Sequence, residues 1–158
     1  MGNKTLIYKQ KVLDNLNEAY KHLQRLNDAY KQLEKINLFP LDEKKFSKII
    51  HDIEYLAYSD QIIYRFSKLQ DCMGAKLFKS ILLYQGENTD KPFLDILNQL
   101  EKWGIIDVDE WFEFRDIRNE IAHDYEDNSN ITVDMINTLY QRKHRLKQIL
   151  DTIQEMLK

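Results

Sequence analysis

The sequence predicts an all-α protein, an antiparallel bundle of about five helices, and three observations carry that expectation. Punctuation is sparse: glycine occurs only at positions 2, 74, 86 and 104 and proline only at 40 and 92, so few positions can end a helix. Apolar residues recur at spacings of three and four over long stretches, the period of one helical face. The only strand-like run, Gly104 to Val108, is too short and isolated to build a sheet.

The first helix is predicted over 4–37, with Leu16, Tyr20, Leu23, Leu26, Tyr30, Leu33 and Ile36 on its inner face. Within it "NEAYKHLQRL" is echoed by "NDAYKQLEKI", two copies of one stripe and too little for a solenoid. After "NLFPLDEKK" a second long helix is expected, N-capped by Asp42 and running to about Tyr84 with Ile49, Ile53, Leu56, Ile63, Phe66 and Leu69 inward. Gly74 marks a possible irregularity in it. Asp90 and Pro92 precede a short third helix that Gly104 stops. Asp107 and Glu110 form a capping-box pattern for a fourth helix, and Thr132 is placed to cap the last one, which carries Val133, Ile136, Leu139, Leu146, Ile149 and Ile153.

The chain of 158 residues fits a single helical domain spanning 1–158, and its 43% hydrophobic content is too high for disorder. A formal net charge of -3 argues against nucleic-acid binding driven by bulk charge and restricts any RNA contact to a local patch. No apolar run approaches the roughly 20 residues of a membrane span, so no membrane association is expected. The lone Cys72 can form no internal disulfide, and "MGNKTLIYKQ" has no apolar signal core; both point to a reducing cytoplasm.

Common chemical motifs are missing. There is no GxGxxG and no phosphate loop, so no nucleotide cofactor of that kind is expected. His22, His51, His123 and His144 lack HExxH spacing or cysteine companions, and no metal site is predicted; His51 with Glu54, or His123 with Asp124, Glu126 and Asp127, are the weak alternatives. Cys72 reads as a small buried side chain, and Tyr55, Tyr58 and Tyr64 as helix or subunit packing.

The distinctive stretch is "RDIRNEIAHDYE", residues 115–126. At about 100° per residue, Phe114, Ile117 and Ile121 define the inner face and Arg118 lies roughly 40° from Phe114. An arginine so near the core edge must be paired or must line a pocket or interface. Asn119 and His123 are helical neighbours. Arg118 and His123 diverge unless the helix loosens near Ala122 or a second subunit completes the site, whereas Tyr125 falls back toward the arginine if the helix continues. On spacing alone, a surface histidine at a helix C-terminus explains the pattern equally well.

"RNEIAHDY", Arg118 to Tyr125, is similar to the R-x4-H-x-Y signature of the HEPN superfamily, specifically its HepT-like branch and the related nucleotidyltransferase substrate-binding subunits. The longer run "FLDILNQLEKWGIIDVDEWFEFRDIRNEIAHDYED" resembles the same segment of those proteins, and "YRF" at Tyr64 to Phe66 resembles their arginine-phenylalanine pair; Ser67 departs from the glutamate that normally follows. The resemblance implies a two-fold homodimer with the motifs facing each other, and a metal-independent ribonuclease. In such an enzyme His123 would move the proton, Arg118 stabilise the phosphorane charge and Asn119 orient the imidazole. The resemblance further implies a toxin neutralised by a MntA-like minimal nucleotidyltransferase that adenylylates Tyr125. The alternative is a noncatalytic substrate-binding subunit that docks such a nucleotidyltransferase.

Overall fold

The computed structural model of the chain describes residues 2–122 and 125–158. Among the described residues, seven α-helices make up six rods: α1 (Asn3–Glu34), α2 (Glu43–Ile50), α3 (Ile53–Cys72), α4 (Phe78–Tyr84), α5 (Phe93–Lys102), α6 (Val108–Ile121) and α7 (Ser129–Met156). A π-helical turn, Met73–Leu77, joins α3 to α4 without a break. No strand occurs among the described residues, as the sparse punctuation predicts.

Four rods form a ring. Lys76 on the α3–α4 rod bonds Glu18, and Arg65 lies beside His22, so that rod runs antiparallel to α1. Tyr20 donates to Asp151 and Tyr30 to the Ile136 carbonyl, which sets α7 antiparallel to α1. Glu110 accepts from both Arg142 and Arg145, fixing α6 against α7. Phe66 and Phe114, with ring centroids 6.3 Å apart, close the ring between α3 and α6. One hydrophobic core fills it, including fully buried Leu16, Leu26, Tyr30, Ile62, Phe66 and Phe114. The ten-residue echo in α1 places Tyr20 and Tyr30 so that both reach α7, with Ala19 and Ala29 buried beside them.

The sequence expectation differs from the structure at three boundaries. The predicted helix from Asp42 to Tyr84 is broken at His51 and Asp52: the Asp52 backbone is extended and its carboxylate accepts from the Glu54 and Tyr55 amides, starting α3 afresh. Ile53, assigned to the buried stripe, therefore sits in the first turn of α3 and is 89% exposed. The first helix ends at Glu34, and the chain leaves through Asn37 in the left-handed region (φ 57°). The last helix starts at Ser129, since Thr132 lies within its first turn and donates instead to the Tyr125 carbonyl at 2.7 Å.

Other signals match. Asp42 caps α2 through the Lys45 amide, and Asp107 caps α6 through that of Glu110. Only half of the predicted capping box forms, because the Glu110 carboxylate is drawn to the two arginines of α7. Gly104, at φ 77°, ends α5: its own amide bonds Glu101 O and the Ile105 amide bonds Leu100 O, a closure that favours glycine. The irregularity expected near Gly74 is the π turn. Buried Leu69, Met73, Leu77 and Ile81 step by four, a spacing that drifts about 40° per step on an α-helix. One extra residue in a π turn restores the register.

Glu110 has only 12% of its side chain exposed and bridges two arginines, whereas Glu113 is 56% exposed and meets Arg142 alone. Urea unfolding should therefore show Glu110→Ala destabilised by about 1–3 kcal/mol and Glu113→Ala by less than about 1 kcal/mol. Equal losses would contradict the asymmetry.

Candidate functional site

The site grows from the way α6 lies against the α3–α4 rod. Trp111 packs edge-on to Phe78 at 4.8 Å and lies against Gly74 in the π turn. A β-carbon on Gly74 would stand 3.2 Å from Trp111 Cζ2 and 3.6 Å from Phe93 Cζ, so any other residue would make the indole give by a few tenths of an ångström. Trp111, Arg115 and Arg118 are spaced four and three apart, so both arginines follow the indole along one face of α6.

Arg118 Nη2 donates to both carboxylate oxygens of Asp71 on α3, at 3.0 and 3.1 Å. Its Nη1 reaches Asn119 Oδ1 at 3.4 Å, a weak contact. The expectation that Arg118 must be paired or must line a pocket is met in both senses. The side chain is 33% exposed and forms part of the wall of a cavity of about 310 Å³. Arg115, Lys79 and Asp71 contribute the other charged groups of that wall, and Trp111 with Phe93 its aromatic surface.

Three residues of the same wall each carry a side-chain N–H that is buried without a hydrogen-bond partner among the described residues: Gln70 Nε2, Trp111 Nε1 and Arg118 Nε. Gln70 is 5% exposed and Trp111 2%. The indole atoms nearest Gly74 are Cζ2 and Cη2 of its benzo ring.

Helix α6 ends at Ile121, and the Ala122 amide closes it on Arg118 O. His123 and Asp124 lie outside the described residues, so the predicted catalytic histidine and its relation to Asn119 are not placed. Tyr125 follows. Because α6 has ended, Tyr125 does not return to the arginine: its ring packs near Phe46 and its hydroxyl donates to Asp60 on α3. Burial, then the Asp60 hydrogen bond and charge, push the phenol well above its ordinary pKa. The hydroxyl is thus half-buried and engaged, not simply presented to solvent. Asp60 and Asp71 are eleven residues apart, about three turns on one face of α3 and roughly 16 Å along its axis. Arg118 and Tyr125 of one chain are anchored at those two points.

The arginine-phenylalanine pair is divided in its contacts. Phe66 is fully buried against Phe114, while Arg65 Nη1 lies 3.0 Å from His22 Nδ1 and its guanidinium lies 5.3 Å from the Tyr64 ring centroid. Arg65 does not line the cavity. Cys72 is buried, its thiol pushed up to about 12 by desolvation and by Glu18, as expected for a packing residue. His51 Nδ1 lies 2.8 Å from Ser47 O of its own helix, and no cluster of metal-ligating side chains occurs among the described residues.

Asp60, Asp71, Gln70 and Lys79 escaped the sequence reading. The eleven-residue spacing of the two aspartates was the available signal, a same-face spacing on any long helix. Comparison with family models, with curated proteins and with solved structures finds no match for this chain.

His22 makes a pH prediction. Burial and then the Arg65 charge hold its pKa below the ordinary value, so the unfolded chain binds the proton more readily. The stability this neutral imidazole contributes is present above the ordinary pKa of about 6.5 and is lost as pH falls through the folded value. The melting temperature should drop between about pH 7 and pH 5, and His22→Gln should flatten that dependence. An unchanged slope would rule His22 out as its source.

Proposed function

We propose that the protein is a metal-independent endoribonuclease of the HepT-like kind, the toxin of a toxin-antitoxin pair, acting as a two-fold dimer. The observation that carries this reading is Arg118: it sits in the last turn of α6, on the wall of a cavity rich in hydrogen-bond donors, five residues before His123 in R-x4-H-x-Y. The imidazole, with an ordinary pKa near ~6.5, takes the proton of a ribose 2′-hydroxyl as that oxygen attacks the adjacent phosphorus. The 5′-oxygen leaves and is protonated by imidazolium. Arg118 stabilises the charge that gathers on the phosphorane oxygens, and Asn119, four residues before His123, orients the imidazole. Exposed Tyr64, Phe112 and Ile131 supply apolar helix surface for a subunit contact.

Control is assigned to Tyr125 and a MntA-like nucleotidyltransferase that adenylylates it. The phenolic oxygen attacks the α-phosphorus of ATP, pyrophosphate leaves, and Asp60, already the acceptor of the hydroxyl, receives the proton. The second reading is a noncatalytic partner subunit of such an enzyme, and the pairing of Arg118 with Asp71 favours it.

In a purified RNA cleavage assay, Arg118→Ala and His123→Ala should each abolish cutting while helicity and melting stay unchanged, and EDTA should have no effect. Light scattering should show a dimer at micromolar protein. Absence of cleavage by a folded dimer that still binds the nucleotidyltransferase would select the second reading.

Peptide mass spectrometry after incubation with ATP, magnesium and the nucleotidyltransferase should place the added mass on Tyr125. Modification should vanish in Tyr125→Phe and slow by about 100-fold in Asp60→Asn. Full modification of Tyr125→Phe would remove Tyr125 from the scheme.

A further inference from the structure

The cavity between α6 and the π turn contains more unused hydrogen-bonding capacity than an arginine awaiting a polymer phosphate requires. Trp111 Nε1 and Arg118 Nε can only donate, and both are buried without partners among the described residues. Gln70 Nε2 is in the same condition at 5% exposure. Buried donors left unpaired cost free energy, and only an acceptor can relieve them. Lys79, Arg115 and Arg118 bring three cations to the wall against one carboxylate, Asp71, which Arg118 Nη2 already engages. A cation is therefore excluded by charge and by donor polarity.

The remaining surface is apolar and flat. Phe93 and Trp111 converge on Gly74, and Ala75 adds a small side chain beside it. The volume of about 310 Å³ stands at the lower end of the roughly 300–1,000 Å³ typical of small-ligand sites. It fits a compact molecule.

We propose that this cavity binds a small organic oxyanion, a carboxylate or phosphate head on a planar apolar body, with the head on Arg115, Lys79 and Arg118, beside the buried donors, and the body against Trp111 and Phe93. The site does not depend on ribonuclease activity: it uses the side of Arg118 that Asp71 leaves open, and it would serve a catalytically silent subunit equally.

The test follows the indole N–H. In 1H–15N spectra of the full chain, phenyl phosphate and indole-3-acetate are titrated separately, with inorganic phosphate and indole as half-ligands. The Trp111 indole peak should move with a dissociation constant of about 1 mM or tighter for at least one complete probe. Trp103, which does not line the cavity, should stay put. The half-ligands should bind at least about tenfold more weakly. Whichever complete probe binds better identifies the head group.

Arg115→Ala and Lys79→Ala, both at exposed positions, should each weaken binding by about tenfold. Ala75→Phe should fill the cavity from its exposed side and abolish binding with the melting temperature unchanged, while Lys44→Ala on α2 should have no effect. The proposal is overturned if neither probe moves the Trp111 peak up to about 10 mM, if Ala75→Phe binds normally, or if an RNA oligonucleotide alone moves that peak. RNA cleavage that persists when both probes fail would overturn this site and leave the ribonuclease reading standing.

Discussion

The seating of Trp111 on Gly74 is the contact from which the rest of the functional region is measured. Glycine inside a helix costs about 1 kcal/mol relative to alanine, and a π turn interrupts the regular hydrogen-bond ladder. Both occur where the Trp111 side chain of α6 reaches the α3–α4 rod. A β-carbon at 74 would press on the indole, which would have to give by a few tenths of an ångström. The seat of the indole, from which Arg115 and Arg118 follow along the same face of α6, is therefore shaped by a missing methyl group.

Helix α3 then acts as a ruler for the segment that follows. Asp71 holds Arg118 and Asp60 holds Tyr125. Two carboxylates about three turns apart on one face fix the two ends of the R-x4-H-x-Y stretch, although that stretch is no longer helical at its second end. The exposed Arg118–Asp71 pair adds little stability by itself, about 0–1 kcal/mol. Its effect is directional: it ties Nη2 to α3 and leaves Nε buried without a partner among the described residues. The same contact that tames the arginine also orients it.

What was legible in the sequence was whatever depends on local periodicity or on a cap. The long helices, Asp42 and Asp107 as caps, Gly104 as a stop and an irregularity at Gly74 all follow from short-range rules. Arg118 at the core edge was legible for the same reason, since its angle from Phe114 needs only the helical repeat. The break at Asp52 was not, because an unbroken apolar pattern surrounded a single capping carboxylate. The destination of Tyr125 was not legible either: it depends on where α6 ends, and helix ends are the least determined feature of a periodic stretch. The donors of the cavity belong to α3 and α6 together, a pairing that only tertiary structure creates.

A chain of net charge -3 that gathers three cations around one cavity separates two kinds of electrostatics. The long-range field does not draw anions to the molecule, so attraction has to arise within a few ångströms, where the potential is made by Lys79, Arg115 and Arg118 and by uncharged N–H dipoles. Charges exposed to solvent lose most of their reach over a Debye length of about 8–10 Å, but donors already removed from water are screened far less. An anion held mainly by Trp111, Gln70 and Arg118 Nε would bind with weak dependence on salt, whereas one held by the rim cations alone would not. The buried, partnerless donors are thus the part of this site that distinguishes a recognition pocket from a patch of surface arginine and lysine.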